Sequence, residues 1–222
     1  IVDLPDCVAD LEYLLRGLYD PIFFTQKALP FRVLAGLVRL SRKYEFNNLW
    51  NEVVGRLTCD NPTTIEEFDA LPVPKHVPTR IEPYPGVLFE IDTLASEHSI
   101  LSVLPCASRL SLSQLFGGIP PLATLSPTNR RVCITARSKI LKAQYQVGNS
   151  MSWCDRKRDI LRSYVLAAGM FALTLEESVD WQLCPTCAKH TNEPVIAGRT
   201  KMWEELPFFF DLPPWTELRS DL

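Results

Sequence analysis

The chain has little that marks an enzyme. Its 222 residues include only three histidines, and no G-x-S-x-G, H-E-x-x-H, Walker or dinucleotide glycine pattern occurs. The adjacent carboxylate pairs Glu66-Glu67, Glu176-Glu177 and Glu204-Glu205 fall near predicted helix ends, where capping and solvation account for them. Asn-Gly and Asp-Gly pairs are absent, and so is sustained period-two alternation, so strands are not expected. Seven cysteines are too few for a disulfide-stapled mini-domain, and an odd number leaves at least one unpaired. No repeat recurs along the chain.

Long apolar runs are missing too. Ser163–Leu175 is uncharged but only 13 residues long between Arg162 and Glu176. A membrane span needs about 20 residues, so this run predicts a buried core helix. Residues 110–129 are also uncharged, yet Gly117-Gly118, Pro120-Pro121 and several hydroxyls give them a loop composition. The first residue is Ile1, which suggests a fragment of a longer product, and no signal-peptide pattern opens it. A soluble, intracellular protein is expected, with cytoplasm and nucleus both open.

What is present is amphipathic helix. Apolar content is 46%, charged content 22% and net charge −3, a composition outside the disordered range. Val8, Leu11, Leu14, Leu15 and Leu18 recur at three- and four-residue steps, predicting a first helix capped by Asp6 and stopped at Asp20-Pro21. Pro30 opens a second helix with Phe31, Leu34, Leu37, Val38 and Ser41 on its inner face. A third carries Leu49, Trp50, Val53, Val54 and Leu57, and Thr63-Thr64 with Glu66-Glu67 forms a capping box for a short fourth. Residues 72–85 hold five prolines and read as an extended connector. Beyond it, helices are expected near 87–104, 106–115, 127–146, 156–175 and 196–206. The expected organisation is mainly α with little or no sheet: a unit over 1–71, the linker 72–85, and a helical extension over 86–222.

The run VADLEYLLRGLYD…LPFRVLAGLVRLSRKYEFNNLWNEVVGRL resembles the C-terminal helices of a BTB (POZ) domain. The family's aromatic-rich turn and following helical pair correspond to Leu14–Tyr19, Val33–Tyr44 and Asn48–Leu57. The combination looks most like BTB proteins of mushroom-forming fungi, whose helical region ends in W-x-x-LP-x-x-F-x-LP-x-W, matched by Trp203 to Trp215. Tyr19-Asp20-Pro21 replaces the family's glycine turn, and the dimerising helix and small sheet of the family's N-terminal half have no counterpart here. The resemblance implies a non-enzymatic adaptor that associates with itself or with a cullin-type ubiquitin-ligase scaffold. On that part Tyr19, Phe23, Phe24 and Trp50 are the candidate partner contacts, because large aromatics make effective interface anchors.

Three other groupings carry chemistry. Cys184-Pro-Thr-Cys187 places two thiols within reach of one zinc ion, with His190 and Cys154 (or Cys133) to complete a tetrahedral set. Reduced structural thiols fit the same residues, and a dithiol redox centre would want a preceding strand that is not seen. Residues 126–162 hold nine Arg or Lys against two Asp. That patch suits an acidic partner or nucleic acid, or simply a solvated face balanced elsewhere. Finally, Trp203, Phe208, Phe209, Phe210 and Trp215 crowd a proline-broken tail, predicted to run extended after Pro207 and to anchor onto the helical unit.

Overall fold

Helix-forming residues at helical spacing dominate the chain, and the structure is correspondingly mainly α. The computed structural model describes residues 5–72, 77–116, 127–149 and 196–219, with side chains described outside 113–116 and 144–149. Among them there is no strand, only an isolated parallel bridge between Leu29 and Ile81. None of the described helices is long and apolar enough to cross a membrane.

The elements are α1 (Val8–Tyr19), a 3-10 turn (Phe23–Thr25), α2 (Phe31–Lys43), α3 (Asn47–Asp60), α4 (Ile65–Ala70), α5 (Val87–Glu97), α6 (Leu104–Phe116) and α7 (Pro127–Asn149). Helix α8 follows over 196–204, then α9 (Leu206–Phe209) and α10 (Trp215–Leu218). They divide into a first unit of residues 1–130 with 215–222 and a second unit of residues 131–214. The predicted core helix over 156–175 lies outside the described residues.

In the first unit α2 packs against α1 on one side and α3 on the other. The predicted inner face is there, since Leu34, Leu37, Val38 and Ser41 are buried. Val33, Ala35, Gly36 and Leu40 are buried as well, because a helix flanked twice needs apolar residues around most of its girth. Gly36 marks the closest approach. A Cβ there would stand 2.7 Å from Asp10 Oδ1 on α1. Asp10 meanwhile accepts two hydrogen bonds from Arg39, each of 3.0 Å.

The proline-rich stretch does not separate two compact bodies; it lies inside the first unit. Asp60, the last residue of α3, accepts from the Thr79 amide and hydroxyl at 2.7 Å each and from the Arg80 amide at 2.9 Å. Those donors straighten the chain into the bridge at Ile81, which is fully buried. Gly86, at φ 97°, then turns it into α5, a conformation that glycine adopts without steric cost. α5 packs on α6 and also meets α2, so helices from both sides of the connector share one unit.

Several local expectations shift. α5 stops at Glu97 rather than 104, because Ser99 turns left-handed at φ 54° and the Ile100 amide reaches back to Ala95 O at 2.9 Å. The loop composition of 110–129 gives way to helix at both ends, α6 to Phe116 and α7 from Pro127. Pro30 is the N-cap of α2 and not its first helical residue, and the N-cap of α1 is Cys7, not Asp6. Thr64 does cap α4, accepting from the Glu67 amide at 3.3 Å.

In the second unit Met202, Trp203, Leu206, Phe209 and Phe210 are buried. The tail after Pro207 is not extended. Pro207 sits in the first turn of α9, where its missing N–H costs nothing. Lys139 on α7 pairs with Asp211 at 2.6 Å and lies 5.7 Å from the centre of the Phe208 ring. Trp215 and Leu218 on α10 are buried in the first unit, where Arg219 donates to Thr63 O at 2.7 Å.

Candidate interaction face on the first helix

Helix α1 departs from its neighbours. Its leucine-rich stripe predicts a core face, but of that stripe only Leu14 is buried. Val8 is 80% exposed, Leu15 54% and Leu18 41%. Tyr19, at the helix end, is 80% exposed, and Ile22 just beyond it 68%. Leu11 is half-buried. Apolar side chains at steps of three and four on a helix share one face. Here Val8, Leu15, Leu18 and Tyr19 face solvent while Leu14 turns into the core, which makes the outer side of α1 a candidate interaction face.

The opposite side of α1 is held in place. Asp10 is tied to Arg39, Leu14 is in the core, and a Cβ at Gly17 would touch Leu49 of α3 at 3.2 Å. Ahead of the helix, Asp6 binds Lys43 Nζ at 2.6 Å and accepts from the Tyr44 hydroxyl at 2.5 Å. The Lys43 bond, then the Tyr44 bond, hold the Asp6 carboxyl below its ordinary range, and the same carboxylate raises Lys43 and Tyr44. The start of α1 is thereby fastened to the end of α2. The exposed stripe belongs to a positioned helix, not a free one.

The four aromatic candidates scatter around this face. Tyr19 lies on it, Phe23 is buried, and Phe24 and Trp50 are half-buried. Phe23 meets Phe24 edge-on with ring centres 5.1 Å apart. Phe24 also lies beneath the Arg56 guanidinium, which is itself buried and donates to Phe24 O at 2.5 Å and Gln26 O at 3.2 Å. Arg42 stands 5.5 Å from the Trp50 ring centre and donates to the His98 carbonyl. His98 caps α5 half-buried, and burial lowers its pKa.

Elsewhere in the first unit a buried polar cluster joins three helices. Asp92 of α5 accepts from the Ser108 hydroxyl of α6 and from Asn129 Nδ2 of α7 at 3.1 Å. Burial pushes its carboxyl up to about 6 despite the two donors, which favour the charged form. Cys106, on the same helix as Ser108, is fully buried, and desolvation drives its thiol up to about 12, the behaviour of an inert structural cysteine. Among the described residues no group of three or more His, Cys, Asp or Glu could hold a metal ion. Cys184, Cys187, His190 and Cys154 lie outside the described residues, whereas Cys133 is buried on α7.

No family model, curated protein or solved structure matches the chain. What it does must come from its own residues. The exposed side chains of Val8, Leu15 and Ile22 were missed as candidate contacts because their spacing also suits a core helix. The only sequence signal for them is that α1 carries more apolar residues than one packing face needs.

Proposed function

We propose that this chain is a non-enzymatic protein–protein interaction module, a BTB-like adaptor that docks a partner on the outer face of α1. The observation that carries it is the exposure of Val8, Leu15, Leu18 and Tyr19 on a helix whose other side is pinned, with Ile22 exposed just beyond its end. A patch rich in leucine and capped by a tyrosine suits a protein surface better than a small ligand, because it is convex and lacks converging polar groups. The sequence resemblance supplies the partner class, a cullin-type ubiquitin-ligase scaffold. Affinity purification of the full chain and of Tyr19→Ala is the test. The expected result is a stoichiometric scaffold protein with the parent chain and a loss of at least about tenfold with Tyr19→Ala, at unchanged helical circular dichroism. Recovery of no protein in stoichiometric amount overturns the adaptor.

A second reading rests on α7, which carries Arg130, Arg131, Arg137, Lys139 and Lys142 without a single Asp or Glu over 127–149. It is a zinc-stabilised helical module that meets an acidic or nucleic-acid partner through the basic segment 130–162. Lys139 is already engaged by Asp211, which weakens it. Binding of duplex DNA or RNA with a steep salt dependence, together with one equivalent of zinc, would favour this reading.

A further inference from the structure

We propose that the first unit holds a peptide-docking site which residues 215–219 fill in cis, and that a partner segment bearing the same W-x-x-L-R pattern takes the site by displacing them. This goes beyond the α1 reading and does not depend on it. Leu49, which Gly17 of α1 approaches, lies in the first turn of α3, whereas Thr63, the acceptor in the docking site, lies past the other end of that helix.

The chain leaves the first unit after Arg130 and re-enters it at Trp215. The returning element is short, since α10 has only the four residues Trp215–Leu218. A helix of one turn does not sustain itself in water, because nucleation costs more than one turn returns. Its form is therefore imposed by the surface it meets. Pro213 and Pro214 stand between α9 and α10 and keep the two helices from merging.

Two side chains of the segment are buried, Trp215 at 2% exposure and Leu218 at 1%, while Thr216, Glu217 and Arg219 are exposed. Anchors one turn apart on a helix are how an amphipathic segment lies in a groove. Arg219 adds a third anchor. It donates to Thr63 O at 2.7 Å and stands 5.7 Å from the centre of the Trp215 ring. Tryptophan and arginine are the residue types that most often carry the affinity of such contacts.

The receiving carbonyl is held without help from the segment. Asp60 accepts from the amides of Thr79 and Arg80, Asn61 Nδ2 donates to Leu57 O at 2.9 Å, and Thr64 caps α4. Thr63 is thus fixed from both sides, as a preformed site requires.

Three anchors make an exchangeable contact. A tethered segment acts on its site at an effective concentration of about 1 mM. An intrinsic affinity of about 20 µM then leaves the site open about 2% of the time, so an outside peptide binds about 50-fold more weakly than it would to an empty site.

The test uses the full chain with Leu218→Cys, alkylated in its native state and mapped by peptide mass spectrometry. Cys106, fully buried in the same unit, is the internal reference. A segment that opens locally exposes the new thiol without unfolding the unit. The Leu218→Cys thiol should therefore react at least tenfold faster than Cys106, and a synthetic peptide of residues 212–219 at millimolar concentration should speed it further while leaving Cys106 unchanged. A second arm needs no change at a buried position. The same peptide, fluorescently labelled, should bind full-length Arg219→Ala about two- to tenfold more tightly than the parent chain, since one anchor of the competing segment is gone. The peptide with Trp215→Ala should bind neither. Equal reaction of the Leu218→Cys thiol and Cys106 means that residues 215–219 are core and overturns the proposal. So does a peptide that fails to bind Arg219→Ala, or one that binds as well with Trp215→Ala.

Discussion

Asp92 on α5 is buried against Ser108 on α6, whose hydroxyl donates to its carboxylate. The pair makes the stability of the first unit depend on pH. Asp92 has its pKa raised in the folded chain, from an ordinary 3.8 to about 6. A raised carboxyl binds its proton more tightly folded than unfolded. Its favourable contribution is therefore complete below about pH 4 and is lost as pH rises through about 6. Asp92→Asn keeps an acceptor for Asn129 and carries no charge. We expect it to stabilise the chain at pH 7 by up to roughly 3 kcal/mol, the equivalent of a two-unit shift. The advantage should vanish near pH 4. Urea denaturation of both proteins across that range measures it, and equal stability at pH 7 would contradict the buried, desolvated carboxyl.

Two glycines in neighbouring helices should respond oppositely to alanine. At Gly36 the new Cβ meets Asp10 Oδ1 at 2.7 Å and Tyr13 at 3.2 Å, in the α1–α2 contact. Overpacking of that kind costs about 1–3 kcal/mol. At Gly55 on α3 nothing lies within 4 Å, so alanine brings only its better helix propensity, about 0.5–1 kcal/mol of stabilisation. Thermal midpoints should move down for Gly36→Ala and up for Gly55→Ala.

Glu45, Ser99 and Asp211 each end a helix in the left-handed region, at φ 58°, 54° and 59°. In every case the next amide reaches back five residues, Phe46 to Ser41, Ile100 to Ala95 and Leu212 to Pro207. This is the helix-ending turn that glycine usually occupies. A side chain there costs about 1–2 kcal/mol. Glu45→Gly and Ser99→Gly should therefore stabilise by up to about 1 kcal/mol after the extra unfolded-state entropy of glycine is counted. Valine at either position should destabilise. Chemical denaturation of the four variants reads the order.

Asp60 holds Thr79 and Arg80 with three hydrogen bonds and is itself buried. Asp60→Ala leaves those donors without their acceptor, a loss of about 2–4 kcal/mol by the worth of bonds to a charged group. The Thr79 and Arg80 amides should lose hydrogen-exchange protection first. Protection that survives the substitution would mean that the Leu29–Ile81 bridge alone orders the connector.

How far the sequence reaches can be judged residue by residue. Its helical spacing placed α2 to within a residue and located α3, which runs three residues past Leu57, and Asp20-Pro21 and Thr64 marked their helix ends through chemistry confined to one turn of chain. The mainly α class follows from the same local signals. Other outcomes depend on groups far apart in sequence. Asp6 has the composition of an N-cap, yet Lys43 and Tyr44 take its carboxylate, 37 and 38 residues away. The prolines of 72–85 suggested an extended connector between two units, but Asp60 binds the chain at Thr79 and Arg80, within the first unit. Pro207 promised an extended tail and instead starts α9, because a first helical turn does not need its N–H. Most telling is α1. The sequence by itself determined that its leucines share one side, since spacing on a helix is a property of the chain alone. Only the tertiary structure decided that Val8, Leu15 and Leu18 face outward while Leu14 turns in: Asp10, Leu14 and Gly17 fit α2 and α3 more closely, and a helix can turn only one face to its neighbours.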